Sequence, residues 1–367
     1  MALELIDLKR SYGDFSVSLN ITVSDGETLA LVGPSGSGKT TALNLIAGLS
    51  LPDSGKLICG VEDISALPPW KRNISLVFQD LALFPHLNVG GNIAYSLFLR
   101  RVKTSERRRI VEEALKTVRL PDYTSRRIHT LSGGERQRIA IARSLACSPR
   151  ALLMDEPFSS LDAPLRKELH AEFLEIRSHS AAPCVFVTHD REEALSLGDR
   201  IALMADGSII ESGSGRDLFL SPKTEFTARF FGAGQILPCK ILGKNASGTE
   251  VTCPFGMLTV PYSAQEQSDF KLFIPNDAVS LEDLSPASGW KNFSAKCSQM
   301  IFNGPNIILK FFLPDSNINI DSADQSDENS FFEILAGPRT KNVSPGSVVD
   351  FWINQNILSF VKTNYGV

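Results

Sequence analysis

Eight consecutive residues, Gly33-Pro34-Ser35-Gly36-Ser37-Gly38-Lys39-Thr40, constrain this chain more than any other feature. They follow a short apolar run, Thr28–Val32, and precede a helical pattern, Thr41–Leu49. A strand, the spacing G-x-x-x-x-G-K-[ST] and a helix together make a phosphate-binding loop. Glycines let the loop turn tightly enough for successive N–H groups to converge on phosphate oxygens. The helix behind it adds unpaired amides and the positive end of its dipole. Lys39 then reaches the β- and γ-phosphates, the Thr40 hydroxyl is a magnesium ligand, and Thr41 opens the helix behind the cradle. Nucleotide binding follows; the choice among classes of phosphate-binding-loop protein does not.

The flanking segments read as an α/β domain. Phe15, Val17, Leu19, Ile21 and Val23 alternate with polar residues as a half-buried strand does, and Asp25-Gly26 turns the chain. Strand-like runs at Ile74–Phe78, Ala151–Met154, Cys184–Val187 and Ile201–Met204 then alternate with helical patterns at Val89–Arg101, Ser105–Leu120, Gly134–Cys147 and Pro164–Ser178. Such alternation predicts a largely parallel sheet. The texture changes after Phe231-Gly232-Ala233-Gly234, where short β-rich runs (Lys271–Ile274, Ile307–Phe312, Phe331–Leu335, Val348–Ile353) are separated by Pro, Asn, Gly and Ser. A boundary near residue 235 therefore divides a cassette, 1–235, from an all-β barrel or sandwich, 236–367. At 367 residues the chain is long enough for two cores. Of its 37 basic and 41 acidic residues, 28 of each fall in 1–235, so the negative excess sits in the second domain and argues against nucleic acid as a partner. Pro314–Ser330, with five acidic residues and no basic ones, reads as a solvated loop. The six cysteines form no C-x-x-C pair and indicate neither a disulfide framework nor a zinc site. No apolar run reaches the roughly 20 residues of a membrane-spanning helix, and the first residues lack a signal-peptide core.

Two further strings carry chemistry. Ala151-Leu152-Leu153-Met154-Asp155-Glu156-Pro157 is an apolar strand ending in two carboxylates. Asp155 suits a water-mediated hold on magnesium, and Glu156 suits the general base that orients and deprotonates an attacking water. Leu131-Ser132-Gly133-Gly134-Glu135-Arg136-Gln137 opens a helix with small residues and reads either as a second anion site or as a capped helix start.

This ordered set resembles the nucleotide-binding subunits of ATP-binding-cassette transporters, over about residues 1–235. The resemblance implies an α/β cassette with a helical subdomain at about 85–150. It implies that Tyr12 stacks on adenine, that Gln79 links the γ-phosphate and magnesium to a membrane partner, and that Ser132, Gly133, Gly134 and Glu135 form the signature. It further places Ser159-Ser160-Leu161-Asp162 in the loop after the catalytic strand and His189, in Thr188-His189-Asp190, as the switch histidine. The family binds ATP and Mg²⁺ between two cassettes joined head to tail, a homodimer that serves permease subunits and, indirectly, a solute-binding protein. Its place is the cytoplasmic face of the inner membrane. Phe84-Pro85-His86-Leu87 resembles the exposed groove in which a permease helix docks. Gly90-Gly91 stands where the family has better helix formers, and a helix is expected to begin after the pair, since two glycines in a helix interior cost about 1–2 kcal/mol. Residues 236–367 resemble the small OB-like β domain of importers for sugars, polyamines, sulfate or ferric iron. Leu272–Val279 lacks the Arg and Glu of that domain's usual run. Dimerisation and ligand sensing both stay open for it.

Overall fold

The computed structural model describes residues 2–159, 161–178, 180–232, 234–261, 270–282, 284, 288–304, 306–312, 331–337 and 343–363. Ser160 and the acidic stretch Pro314–Ser330 lie outside the described residues. The chain divides after Gly215 into two compact units.

The strands of the first unit are β1 (Leu3–Tyr12), β2 (Phe15–Val23), β3 (Thr28–Val32), β4 (Ser54–Cys59), β5 (Glu62–Asp63), β6 (Ile74–Val77), β7 (Ala151–Asp155), β8 (Cys184–Val187), β9 (Arg200–Ala205) and β10 (Ser208–Gly213). They form one sheet in the order β5-β4-β1-β2-β10-β9-β3-β8-β7-β6. From β9 to β6 the neighbours are parallel, as the alternating pattern predicts. The other side is an antiparallel wing of β5, β4, β1 and β2. Connection length decides the difference: β1 and β2 are joined across Gly13-Asp14, with Tyr12 opposite Phe15, and so short a turn permits only antiparallel pairing.

Helices α1 (Lys39–Ala47), α2 (Pro69–Arg72), α3 (Val89–Leu99), α4 (Thr104–Thr117), α5 (Gly133–Leu145), α6 (Ala163–Ser178) and α7 (Arg191–Leu197) are interleaved with these strands. Leu43, Leu45 and Ile46 of α1 share a core with Leu29 and Leu31 of β3, Leu153 of β7 and Val185 of β8. The far end of α1 is tied by Arg72, which is fully buried. Its guanidinium donates to the carbonyls of Leu45 (2.6 Å), Ile46 (3.0 Å), Leu67 (2.8 Å) and Ser65 (2.7 Å). The last carbonyls of a helix have no partner within it and carry its negative dipole end, so a cation there is favoured. The planar fork reaches several acceptors at once, as a lysine ammonium does not.

Helices α3, α4 and α5 pack against one another as a helical subdomain. Here one expectation is corrected: α3 begins at Val89 and includes Gly90 and Gly91. Asn88 caps it, its side-chain oxygen accepting from Gly91 N at 2.7 Å, while Gly90 N donates to the Thr124 carbonyl. First-turn amides have no ladder partner anyway, so these two contacts supply what the interior argument assumed missing. Gly90 also lies so close to Thr124 that a Cβ would come within 2.7 Å of its methyl carbon.

In the second unit, α9 (Glu225–Phe231), which follows α8 (Gly215–Leu220), packs Ala228 against Phe273 and Val361. That contact draws both helices toward the β domain, ahead of the change in texture near residue 235. The strands make three antiparallel sheets around a core rich in aromatic rings, with Phe332 and Phe351 fully buried and Phe255 and Phe293 packed against them. Strand Phe270–Pro275 ends in a single 3₁₀ turn, Asn276–Ala278, and Asn276 donates to the Gly232 carbonyl. The all-β part of this unit, beyond α9, agrees with an OB-like domain. All six cysteines are free thiols.

Replacing Arg72 by Ala removes four charge-assisted hydrogen bonds and the packing of a fully buried side chain, so the cassette should lose about 3 kcal/mol of stability. Urea unfolding of the full chain checks this, and Arg72→Lys should recover only part of the loss.

Candidate active site

Strand register gathers the candidate residues. Val187, the last residue of β8, is the partner of Leu31 on one side and of Asp155 on the other, and Met154 pairs with Val77 of β6. Gly33, Glu156, His189 and Gln79 follow these residues by one or two positions. All four segments therefore leave the sheet at one level, at the C-terminal edge where ligands of open parallel sheets bind.

The loop after β3 owes its shape to Gly33, whose φ is 151°; a Cβ there would sit 2.1 Å from the Met204 carbonyl oxygen. The Lys39 ammonium crosses the loop, donating to the carbonyls of Gly33 (2.9 Å) and Pro34 (2.8 Å) and to Ser37 Oγ (3.4 Å). Burial lowers its pKa, and the carboxylates of Glu156 and Asp155 oppose that shift. A cavity of about 490 Å³ opens above, lined by Phe15, Ser35, Gly36, Gly38, Lys39, Thr40, Thr41, Glu156 and His189. Phe15 is an addition: its place in an alternating strand marks it as core, and only the fold brings its ring to the cavity. Tyr12 is not part of the lining; it lies opposite Phe15 across the β1–β2 turn, 46% exposed, with its hydroxyl 2.8 Å from Ser50 Oγ.

Glu156 holds the centre. Its backbone is left-handed, φ 44°, a conformation that costs a non-glycine residue about 1–2 kcal/mol. Its Oε2 accepts from Gln79 Nε2 at 3.2 Å and its Oε1 lies 3.2 Å from His189 Nδ1. Burial raises the Asp155 pKa, with Glu156 adding to the shift, while Lys39 and a hydrogen bond from the Thr40 side chain oppose it. Thr40, Asp155, Glu156 and Gln79 supply only oxygen ligands, a donor set that suits a hard divalent cation completing its shell with phosphate and water.

The switch loop is anchored from two sides. Asp190 caps α7, accepting from the amides of Glu192 and Glu193. Arg166 of α6 donates to Asp190 Oδ2 (3.2 Å) and to the Leu161 carbonyl (2.9 Å), and so joins the loop after β7 to the switch. Asp162 caps α6 through Leu165 N at 2.9 Å.

The signature forms a complete capping box. Ser132 Oγ accepts from Glu135 N (3.2 Å), Glu135 Oε2 accepts from Ser132 N (2.8 Å), and Tyr123 donates its hydroxyl to Glu135 Oε1 (2.5 Å). Ser132, Gly133, Gly134 and Glu135 do not line the phosphate cavity. Phe84, expected to be exposed, is half-buried: its ring packs on Tyr95 with centroids 4.4 Å apart, and Asn92, fully buried, clamps both its backbone N–H (2.8 Å) and its carbonyl (3.1 Å). Pro85 and His86 are exposed.

Beside the switch, Glu193 is buried, and Thr188 donates its hydroxyl to Oε2 at 2.6 Å. Burial pushes this carboxyl up to about 7 against that hydrogen bond. A folded-state pKa above the unfolded one stabilises the fold fully at pH values below the unfolded pKa and loses that stabilisation as pH rises through about 7. Denaturation midpoints should accordingly fall between pH 5 and 8, by the equivalent of roughly 3 kcal/mol. Glu193→Gln should flatten that slope.

Comparison with known proteins identifies the family. The sequence model of the ABC transporter family matches residues 17–159. The Fe(3+) ions import ATP-binding protein FbpC 1 of Rhizobium meliloti is 37% identical over 302 residues, 81% of this chain and 84% of that one. The FbpC protein of Rhizobium etli is 42% identical over 66% of this chain and 69% of its own length. The spermidine/putrescine import ATP-binding protein PotA of Marinobacter nauticus is 41% identical over 70% of this chain and 69% of its own. Similarity of that depth across four-fifths of the chain, on a sheet edge that presents a phosphate loop to Glu156, makes this protein a member of the ABC transporter family of ATP-binding proteins, an ATPase.

Proposed function

We propose that the chain is the energy-supplying subunit of a solute importer, and that it hydrolyses Mg²⁺-bound ATP between two copies of itself joined head to tail. The observation that carries the reading is the convergence of Gln79 and His189 on the two oxygens of Glu156. Held at both oxygens, the carboxylate keeps one orientation toward water entering above Lys39. Glu156 then takes the proton as the water oxygen attacks the γ-phosphorus, the bond from phosphorus to the bridging oxygen breaks, and ADP leaves with its terminal oxygen charged. Thr40 and Asp155, with Gln79 alongside, would hold magnesium, which when bound would neutralise charge on the phosphates. Lys39 keeps the β- and γ-oxygens in line, and the amides of Ser35 to Thr41 orient them.

Ser132, at the signature helix start, is not among the residues that line the phosphate cavity, and the first-turn amides of Gly133 and Gly134 lie outside the bonds of the capping box. A second copy would bring that helix start to the γ-phosphate, with Asp162 beside it. ATP then favours the closed pair and hydrolysis the open one, and each state selects a different permease conformation. The permease is a separate, membrane-spanning partner that meets the 84–87 loop, and a solute-binding protein feeds it. No helix among the described residues is long and apolar enough to cross a membrane, which suits a peripheral subunit on the cytoplasmic face of the inner membrane. The names of the relatives divide between Fe(3+) ions and spermidine/putrescine. Cargo selection accordingly falls to the partners. The β unit serves as a dimerisation or sensing module.

Glu156→Gln should lower ATP turnover by at least a hundredfold and trap an ATP-dependent dimer on size-exclusion chromatography; normal turnover would remove Glu156 from its role. Phe84→Ala should leave ATP affinity within about twofold in equilibrium titration yet abolish coupling of hydrolysis to transport in reconstituted vesicles.

A further inference from the structure

The loop between β6 and α3 contains two consecutive non-glycine residues in the left-handed region, Leu81 at φ 62° and Ala82 at φ 43°. Neither side chain tolerates that conformation without help from its surroundings. The help comes from one residue. Arg143, in the last turns of α5, donates from Nη2 to the Leu81 carbonyl at 2.8 Å and from Nη1 to the Ala82 carbonyl at 2.6 Å. Its guanidinium carbon also lies 5.9 Å from the centroid of the Phe84 ring. The far end of the same loop is closed by Asn92, and Leu81 N donates to the Phe78 carbonyl at 2.9 Å.

We infer that Arg143 is a positioning residue, a latch that locks the loop carrying Gln79 and Phe84 to the signature helix. Arg143 and Ser132 belong to one rigid helix: the capping box fixes its start, and the two carbonyl contacts fix the loop to its end. A shift of Gln79 on binding the γ-phosphate is thereby transmitted to the signature that serves the partner copy, and to the 84–87 segment. The fork geometry matters, because two adjacent carbonyls in a left-handed turn accept a planar pair of N–H groups, whereas an ammonium reaches one of them well. This inference rests on the composite-site reading above.

The test uses the full-length protein with Arg143→Ala and Arg143→Lys, alongside the parent and Glu156→Gln. Hydrogen exchange at the amides of Leu81 and Phe84 should speed up at least tenfold in Arg143→Ala while amides of β3 and β7 keep the parent rate. The kcat for ATP should fall at least tenfold with KM within twofold. Arg143→Lys should recover part of kcat, and millimolar methylguanidinium should restore part of it to Arg143→Ala alone. Parent-like exchange at Leu81 and parent-like kcat in Arg143→Ala would overturn the latch. So would a uniform rise in exchange across the cassette with no rescue, which marks an ordinary loss of folding. Failure of Glu156→Gln to form an ATP-dependent dimer would instead defeat the composite site, and with it the latch's purpose, whatever the Arg143 variants do.

Discussion

The cassette depends on the burial of three adjacent parallel strands whose ends coincide. β3, β8 and β7 are apolar almost throughout, so their register is set by packing on both faces. Because Val187 lies between Leu31 and Asp155, the phosphate loop, the carboxylate pair and the switch histidine emerge side by side. A slip of one residue in any of these pairings would turn Glu156 away from Lys39. α1 then fixes the direction of approach, and Arg72 holds the end of α1 that is farthest from phosphate. Stability and chemistry are therefore linked along one line, from the buried guanidinium through the helix to the ammonium of Lys39.

The departures from local preference sit where nucleotide chemistry needs them. Glu156 adopts a left-handed backbone at the end of a buried strand, Asp155 is held above its usual pKa by burial, and Lys39 is held below its own. Each is a departure that the surrounding fold has to hold in place, and each is a group that touches substrate or metal in the proposed reaction. Leu81 and Ala82 add two strained positions in the loop between the phosphate site and the docking segment. Strain of this kind is tolerated only where neighbouring contacts over-determine the conformation, as the paired bonds from Arg143 to both carbonyls do.

The sequence made the local elements legible and left the long-range ones hidden. Period and motif locate β2, β3, β6, β7 and β8, the spacing around Gly33 and the carboxylate pair after β7 mark candidate groups, and the family resemblance adds His189. The cap by Asn88, three residues before Gly91, is a local signal, because interior propensities do not govern a capped first turn. Phe15 and Arg72 could not be read in the same way. Alternation reads Phe15 as core and a cation after Pro-Pro-Trp-Lys reads as solvated, and only tertiary contacts bring the one to the phosphate cavity and bury the other. The division after Gly215 is of the same type, since α9 owes its allegiance to Phe273 and Val361, more than forty positions later.

The signature presents a different balance. Its capping box satisfies Ser132 and Glu135 within the helix, and the hydroxyl of Tyr123 binds the remaining carboxylate oxygen. A helix start so fully capped is rigid before any partner arrives. Little conformational entropy then has to be lost on binding, and first-turn amides already aligned act on an anion as a set. Gly134 contributes to that rigidity by close packing, since a Cβ there would press within 3.0 Å of Leu165 in α6. α6 in turn carries Arg166, which reaches the Leu161 carbonyl and Asp190. In the proposed head-to-tail pair, the surface offered to a second copy is thus braced against the same helix, α6, that reaches the switch loop of its own site through Arg166.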